Sequence, residues 1–215
     1  MSQSTLPSET AAAVSVCRGA QASQCPHALD AAGLPEHLAR LVEASGLPEF
    51  IQDRLGRAPK KHEQLRLAVA ACANGCSRPH VADMAFIQAC SPGLDPDACD
   101  GCGACEARCP DGAIAMQDGL PRIRRNACLD CGQCVLACPA GAMHCRAEGF
   151  RVLVGGRLGR RPRLGRELPG LRTAEGCEAL ARRALGLLRE RWRPGLRHAD
   201  ILWGEHWPRA GEEAS

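Results

Sequence analysis

The chain contains no tyrosine and only three phenylalanines and three tryptophans among 215 residues, so a core built on aromatic stacking is excluded. No apolar run approaches the roughly 18 residues that a membrane span needs. The first residues, MSQSTLPSETAAAVSV, carry neither a basic n-region nor a sustained apolar stretch, which is not the pattern of a secretory signal. A formal net charge of only +3 gives no electrostatic footprint for nucleic acid or an anionic membrane. The expectation is a cytoplasmic chain with no membrane and no nucleic-acid partner.

Cysteine is abundant instead. There are 15 of them, an odd number, and a disulfide framework wants an oxidising compartment and usually an even set. Thiols kept reduced to hold metal are the better reading.

Residues 98–145 contain an internal repeat, in which DACDGCGACEARCPDGAI is matched by NACLDCGQCVLACPAGAM. Each copy carries C-x2-C-x2-C-x3-C-P, as Cys99, Cys102, Cys105 and Cys109, then as Cys128, Cys131, Cys134 and Cys138. A 4Fe–4S cage needs four thiolates; three closely spaced cysteines wrap one face, and the fourth of each run crosses to the other cluster. The expected sets are Cys99, Cys102, Cys105 and Cys138 for one cluster, and Cys128, Cys131, Cys134 and Cys109 for the other. Gly101, Gly103 and Gly132 let backbone amides approach sulfur. Paired C-x2-C is also zinc spacing, but zinc does not call for this triplet and C-P twice over. The repeat predicts a bacterial-ferredoxin module whose business is moving electrons.

Around it, hydrophobic patterning predicts an α+β chain. Residues 1–12 read as a disordered tail and 13–16 as a short strand leading to Cys17. Leu34, Leu38, Leu41 and Val42 predict a helix from Pro35, with Gly46 suited to its end and Pro48 to Leu55 a second helix. Residues 65–71 form a buried-strand candidate, while 81–89 suit either a helix or a strand. Asp118 and Gly119 mark a hairpin, and 150–154 a strand. Thr173 suits the N-cap of a helix over 174–192 with Cys177, Leu180, Ala181, Ala184, Leu185 and Leu188 on its apolar face. Pro92, Pro96, Asp95 and Asp97 mark a boundary. It divides the chain into 13–92 plus 146–207, and a ferredoxin module over 93–145.

Four more cysteines precede the repeat: Cys17 and Cys25, then Cys72 and Cys76. Two pairs separated by a helical segment could close a third cluster; buried thiols are the plainer alternative. Cys90, Cys145 and Cys177 have no assigned partner, although Cys177 reads as core.

The strings ACANGCSRPH (71–80), VADMAFI (81–87), FRVLVGGRLG (150–159) and RPR (161–163) resemble the siroheme-containing sulfite and nitrite reductases, in particular the dissimilatory type. That family carries a dicluster ferredoxin module after its second cysteine pair, which is its place here. The resemblance implies a half-size siroheme-reductase-like α/β domain with the module inserted. It implies that Cys17, Cys25, Cys72 and Cys76 hold a third 4Fe–4S cluster. Cys76 would also be the axial bridge to siroheme, where sulfite or nitrite is reduced. The first pair departs from the family, being C-x7-C where C-x5-C is usual. The family's long stretch ahead of that pair has no counterpart here, so the likeness is to the second half of such an enzyme.

Siroheme and its substrates are anionic and want Arg or Lys in a partly dry site. Candidates are Arg18, Lys60, Lys61, Arg66, Arg78, Arg157, Arg160, Arg161 and Arg163. Arg78, His80 and Arg157 are the candidate catalytic residues, with a solvated arginine loop and a surface histidine as the bland alternatives. The implied partners are a redox donor protein or reductase subunit, or a second copy in a homo-oligomer. The alternative function is an electron-transfer subunit without siroheme.

Overall fold

The structure, a computed structural model, describes residues 11–22, 25–31, 33–210 and 212. The predicted tail lies outside them over residues 1–10. Its last two residues do not belong to a tail: Ala11 and Ala12 are buried, and Ala12 opens the first strand. Among the described residues, seven strands and seven α-helices follow the order β1 (Ala12–Val16), α1 (Arg18–Ala22), α2 (Leu34–Ala44), α3 (Leu47–Leu55), β2 (Leu65–Ala70), β3 (Met84–Leu94), α4 (Ala104–Arg108), β4 (Ile114–Gln117), β5 (Leu120–Ile123), α5 (Gln133–Leu136), β6 (Met143–Val154), β7 (Arg166–Glu167), α6 (Ala174–Arg191) and α7 (His198–Trp203). No helix among the described residues is long and apolar enough to cross a membrane.

The main sheet runs β1-β2-β3-β6-β7, and β4-β5 form a separate hairpin. β1, β2 and β3 are parallel, whereas β6 is antiparallel to β3 and β7 to β6. Alternation along the strands sorts large from small side chains. Leu65, Leu67, Val69, Met84, Phe86, Phe150, Val152 and Val154 share a core with α2, α3 and α6. The opposite face holds Ala68, Ala70, Ala85, Ile87 and Leu153, with Ala82 packed on them. Ala82 belongs to the crossover between β2 and β3, and methyl-sized neighbours let that segment lie flat on the sheet.

The periodicities translate into helices where helices were expected. Pro35 and Pro48 sit in the first turns of α2 and α3, where the missing N–H costs nothing. The Thr173 hydroxyl accepts from the Gly176 N–H at 3.1 Å, and all six predicted apolar residues of α6 are buried. Each buried leucine there contributes about 2 kcal/mol. The ambiguous stretch after residue 81 resolves as strand β3, buried at every position but its last.

β3 and β6 run further than their sequence patterns suggested. They pair from Met84 and Val154 out to Leu94 and Met143, with a register shift at Ser91/Pro92. That irregularity is where Pro92, which cannot donate a ladder bond, is accommodated. Both strands therefore cross the positions where the sequence divides reductase-like from ferredoxin-like segments. The Asp95 N–H donates to the Ala142 carbonyl at 2.8 Å, so the repeat is held as the tip of one long hairpin. Cys90 and Cys145 meet across this ribbon as a disulfide, with Cα atoms 5.5 Å apart and a sequence separation of 55.

Candidate cluster sites

Two copies of one local fold build the inner sites. Gly103 (φ 74°) precedes α4 and Gly132 (φ 70°) precedes α5, each turning the chain into a short helix that buries the third cysteine of its run, with the fourth just beyond the helix end. A side chain at Gly132 would also stand 3.2 Å from the Cys90 Cβ and 3.5 Å from Leu29. Glycine is therefore required there by the close approach as well as by the positive φ. In each copy the fourth cysteine's sulfur accepts a backbone N–H from just downstream, four residues on in the first copy and five in the second. The Ala113 N–H reaches the Cys109 sulfur at 3.2 Å, and the Met143 N–H the Cys138 sulfur at 3.4 Å.

One cavity is lined by Cys109, Cys128, Cys131 and Cys134 together, the crossed set read from the spacing. Burial raises the Cys134 thiol to about 12, with Cys131 and Cys128 close enough to add to the effect; Cys128 is raised by burial as well. In the other half, burial raises Cys105, and its electrostatic neighbours are Cys138 and Cys99. Cys102, the fourth of that set, is exposed. Cys105, Cys134, Cys109 and Cys138 share one small apolar cluster with Ile114 and Met143. Among the described residues no three His, Cys, Asp or Glu side chains converge as a single-ion site. Thiols spread round a cavity suit a cage of iron and sulfide better than one zinc ion. Iron binding would displace the protons that burial holds on them.

The upstream cysteines come together for a topological reason. β1 and β2 are parallel neighbours, so both deliver their next residues to the same sheet end, where ligands of parallel sheets are generally held. Cys17 follows β1, and its N–H donates to the Val69 carbonyl at 3.2 Å. Its sulfur receives the Ala71 N–H at 3.2 Å. The buried Ser77 hydroxyl donates to the same Val69 carbonyl at 2.9 Å, pinning the crossover that holds Cys72 and Cys76. Cys72 is buried, which raises its thiol, and the nearby Cys25, Cys17 and Cys76 thiols raise it further. Cys76 is the exposed thiol of the four. A second cavity, of about 390 Å³, lies between this set and the repeat, with Cys72 and Cys131 both in its walls.

The basic candidates divide. A cavity of about 700 Å³ is lined by Lys61, Arg66, Arg157, Arg160 and Arg161, joined by Arg197, His62 and Asp83. Arg157 is engaged, donating to both Asp200 carboxylate oxygens at 2.6 and 2.7 Å. Arg163 is a clamp: its guanidinium reaches the Gly155 and Ala199 carbonyls and lies 4.3 Å above the Trp203 ring. Arg78 and His80 do not line this cavity, and neither does Cys76, so the three candidate catalytic residues are not gathered in one pocket. Cys76 is an exposed thiol. Arg197 and Asp200 escaped the sequence reading because they sit beyond α6, far from every cysteine.

Two buried titratable groups near this cavity oppose each other. Burial lifts the Asp83 carboxyl from its ordinary 3.8 to about 6, against the pull of the Arg66 N–H at 2.8 Å. Burial lowers His198 from 6.5 to about 4; its ring stacks on Trp192 at 5.7 Å. Folded Asp83 keeps a proton that the unfolded chain has released, so its contribution to stability falls as pH rises through 3.8 to about 6. Buried His198 refuses a proton that the unfolded chain takes up, so its contribution falls as pH drops from 6.5 towards 4. Asp83→Asn should therefore leave a urea midpoint that climbs with pH across this window, and His198→Phe one that declines. Parallel curves for both variants and the parent protein would refute the assignment.

Residues 91–139 match the family described as 4Fe-4S dicluster domain. The coenzyme F420-dependent sulfite reductase of Methanocaldococcus jannaschii is 39% identical over 120 residues, covering 56% of this chain and 19% of that protein. The crystal structure of dissimilatory sulfite reductase I superposes with a TM-score of 0.53 at 18% identity, over 87% of this chain and 49% of its own. The NirA protein of Mycobacterium tuberculosis gives a TM-score of 0.49 at 16% identity, over 90% of this chain and 25% of its own. The chain thus spans about half of the first solved structure and a fifth of the curated relative. With the cysteine repeat, the sheet and these similarities in hand, the chain is an iron–sulfur electron-transfer protein that carries a 4Fe–4S dicluster domain and resembles a sulfite reductase in sequence and in fold.

Proposed function

We propose that electrons enter from a redox protein or reductase subunit, pass through the two ferredoxin clusters, and reach a third 4Fe–4S cluster on Cys17, Cys25, Cys72 and Cys76. Beyond it, siroheme at Cys76 is the place where sulfite or nitrite is reduced, the cofactor supplying the difficult chemistry. The observation that carries this reading is the shared cavity with Cys72 in one wall and Cys131 in another. It puts the upstream thiols beside the dicluster thiols, where a relay needs them. Cys76 supports the siroheme assignment, since it is the member of its set that is exposed to an incoming group. The rest of the porphyrin pocket would come from a partner subunit or a second copy of the chain. We place the protein in the cytoplasm, where ligand thiols stay reduced.

A second reading, electron transfer without siroheme, is favoured by the separation of Cys76 from the basic cavity. The two are distinguished by anaerobic purification and a visible spectrum. A reduced-porphyrin band towards the red supports siroheme, and a broad, featureless brown absorbance supports transfer alone. Cys76→Ser is expected to abolish siroheme binding while the two ferredoxin clusters keep their electron paramagnetic resonance (EPR) signals. Siroheme retained at parental stoichiometry would remove Cys76 from the axial role.

A further inference from the structure

Gln133 lies between Cys131 and Cys134 and is buried, 7% exposed. Its side chain borders both the cavity of the Cys128–Cys134 set and the cavity shared with Cys72. Its Oε1 accepts from the Arg108 guanidinium at 3.2 Å. Arg108 is donor-only, so this bond fixes which end of the amide is oxygen. The same Oε1 lies 3.2 Å from His27 Nδ1, which must then carry the proton. Arg108 adjoins Cys109, and His27 follows Cys25 by two residues. One carbonyl oxygen thus ties together three cysteine-bearing loops, those of Cys25, Cys109 and Cys131.

The loop around His27 is itself anchored to the upstream site. The Leu29 N–H donates to the Ala71 carbonyl at 2.8 Å, and the Ala28 N–H to the Cys25 carbonyl at 3.1 Å. The other end of the Gln133 amide, Nε2, is buried without a partner. Such a donor is costly to leave unsatisfied, and this one stands in the wall between two thiol-lined cavities.

We propose that Gln133 is a positioning residue that fixes the dicluster module against the Cys25/Cys72 loop and so sets the rate of electron passage between them. This rests on the proposed three-cluster relay. One electron leaves the donor cluster and one enters the acceptor, with no bond made or broken in the protein. What Gln133 supplies is a fixed, bonded contact across the gap, and electron tunnelling weakens steeply when such a gap widens.

The experiment uses the full-length, cluster-loaded protein, reduced by a light flash under anaerobic conditions, with electron arrival at the third cluster followed by rapid-freeze EPR. Gln133→Leu removes the carbonyl and should slow transfer by about tenfold or more at unchanged iron and sulfide content. Gln133→Glu keeps an acceptor for Arg108 and His27 and should stay within about twofold of the parent protein. A Leu variant as fast as the parent, or a Glu variant as slow as Leu, would overturn the proposal. Should Gln133→Leu lose a cluster, His27→Phe cuts the same tie from outside the repeat and is expected to slow transfer with every cluster retained. Cluster loss in both variants would assign the network to folding alone and overturn the proposal. Finding two clusters in the parent protein would instead defeat the three-cluster relay itself, so the two failures are separable.

Discussion

Cys109→Ser is expected to destroy the cluster on the opposite loop. The cavity that Cys109 enters is walled by Cys128, Cys131 and Cys134, and its own triplet partners Cys99 and Cys105 face Cys138 instead. Iron and acid-labile sulfide should fall by one cluster's worth. The surviving EPR signal should be that of the Cys99 set, identified because adding Cys105→Ser then removes it while adding Cys131→Ser does not. Serine oxygen is a harder and poorer ligand for this iron than thiolate. If adding Cys131→Ser instead removed the surviving signal, and Cys105→Ser left it, each run would be binding its own cluster and the crossed assignment would fail.

Cys72→Ser should have a comparable effect at the other site. Cys72 is the buried member of the upstream set, with Cys17, Cys25 and Cys76 close by. Its loss is expected to remove the third cluster completely while both ferredoxin clusters remain, because the dicluster set takes no ligand from residues before the repeat. Cys177→Ser is the control. Cys177 is fully buried in the helix-side core, so its replacement should leave iron content unchanged. Equal iron in Cys72→Ser and the parent protein would reduce the upstream cysteines to packed thiols.

What could be read from sequence was whatever is encoded at short range. The triplet spacing gave the crossed ligand sets as an expectation, with which the cavity lined by Cys109, Cys128, Cys131 and Cys134 agrees, and α6 could be read from its buried stripe and its Thr173 cap. The upstream set was legible from the residues as two pairs, and the family resemblance implied that they form one site. Their meeting depends on β1 and β2 being parallel neighbours, which no local pattern states. Strand lengths were underestimated because Pro92 reads as a stop, whereas the register shift beside it lets β3 continue. The Cys90–Cys145 pair, 55 residues apart, had no signal at all, since its partners are joined only by that same ribbon. Gln133 was passed over for a different reason: a glutamine among cysteines looks like filler until His27 and Arg108 are seen to converge on it. The basic cavity was half legible, for its Arg157–Arg161 rim is a run in sequence while Arg197 arrives from beyond the last long helix.

The ribbon of β3 and β6 carries one more implication. Because the repeat enters and leaves through paired strands whose last residues are closed by the bond from Asp95 to Ala142, its two ends are side by side. An insertion of that kind asks nothing of the parent sheet beyond a turn, so a redox cassette can be grafted onto, or trimmed from, such a scaffold without redrawing its topology. The same paired stem ties the cassette to the sheet through two strands at once, so that it does not hang from a single tether.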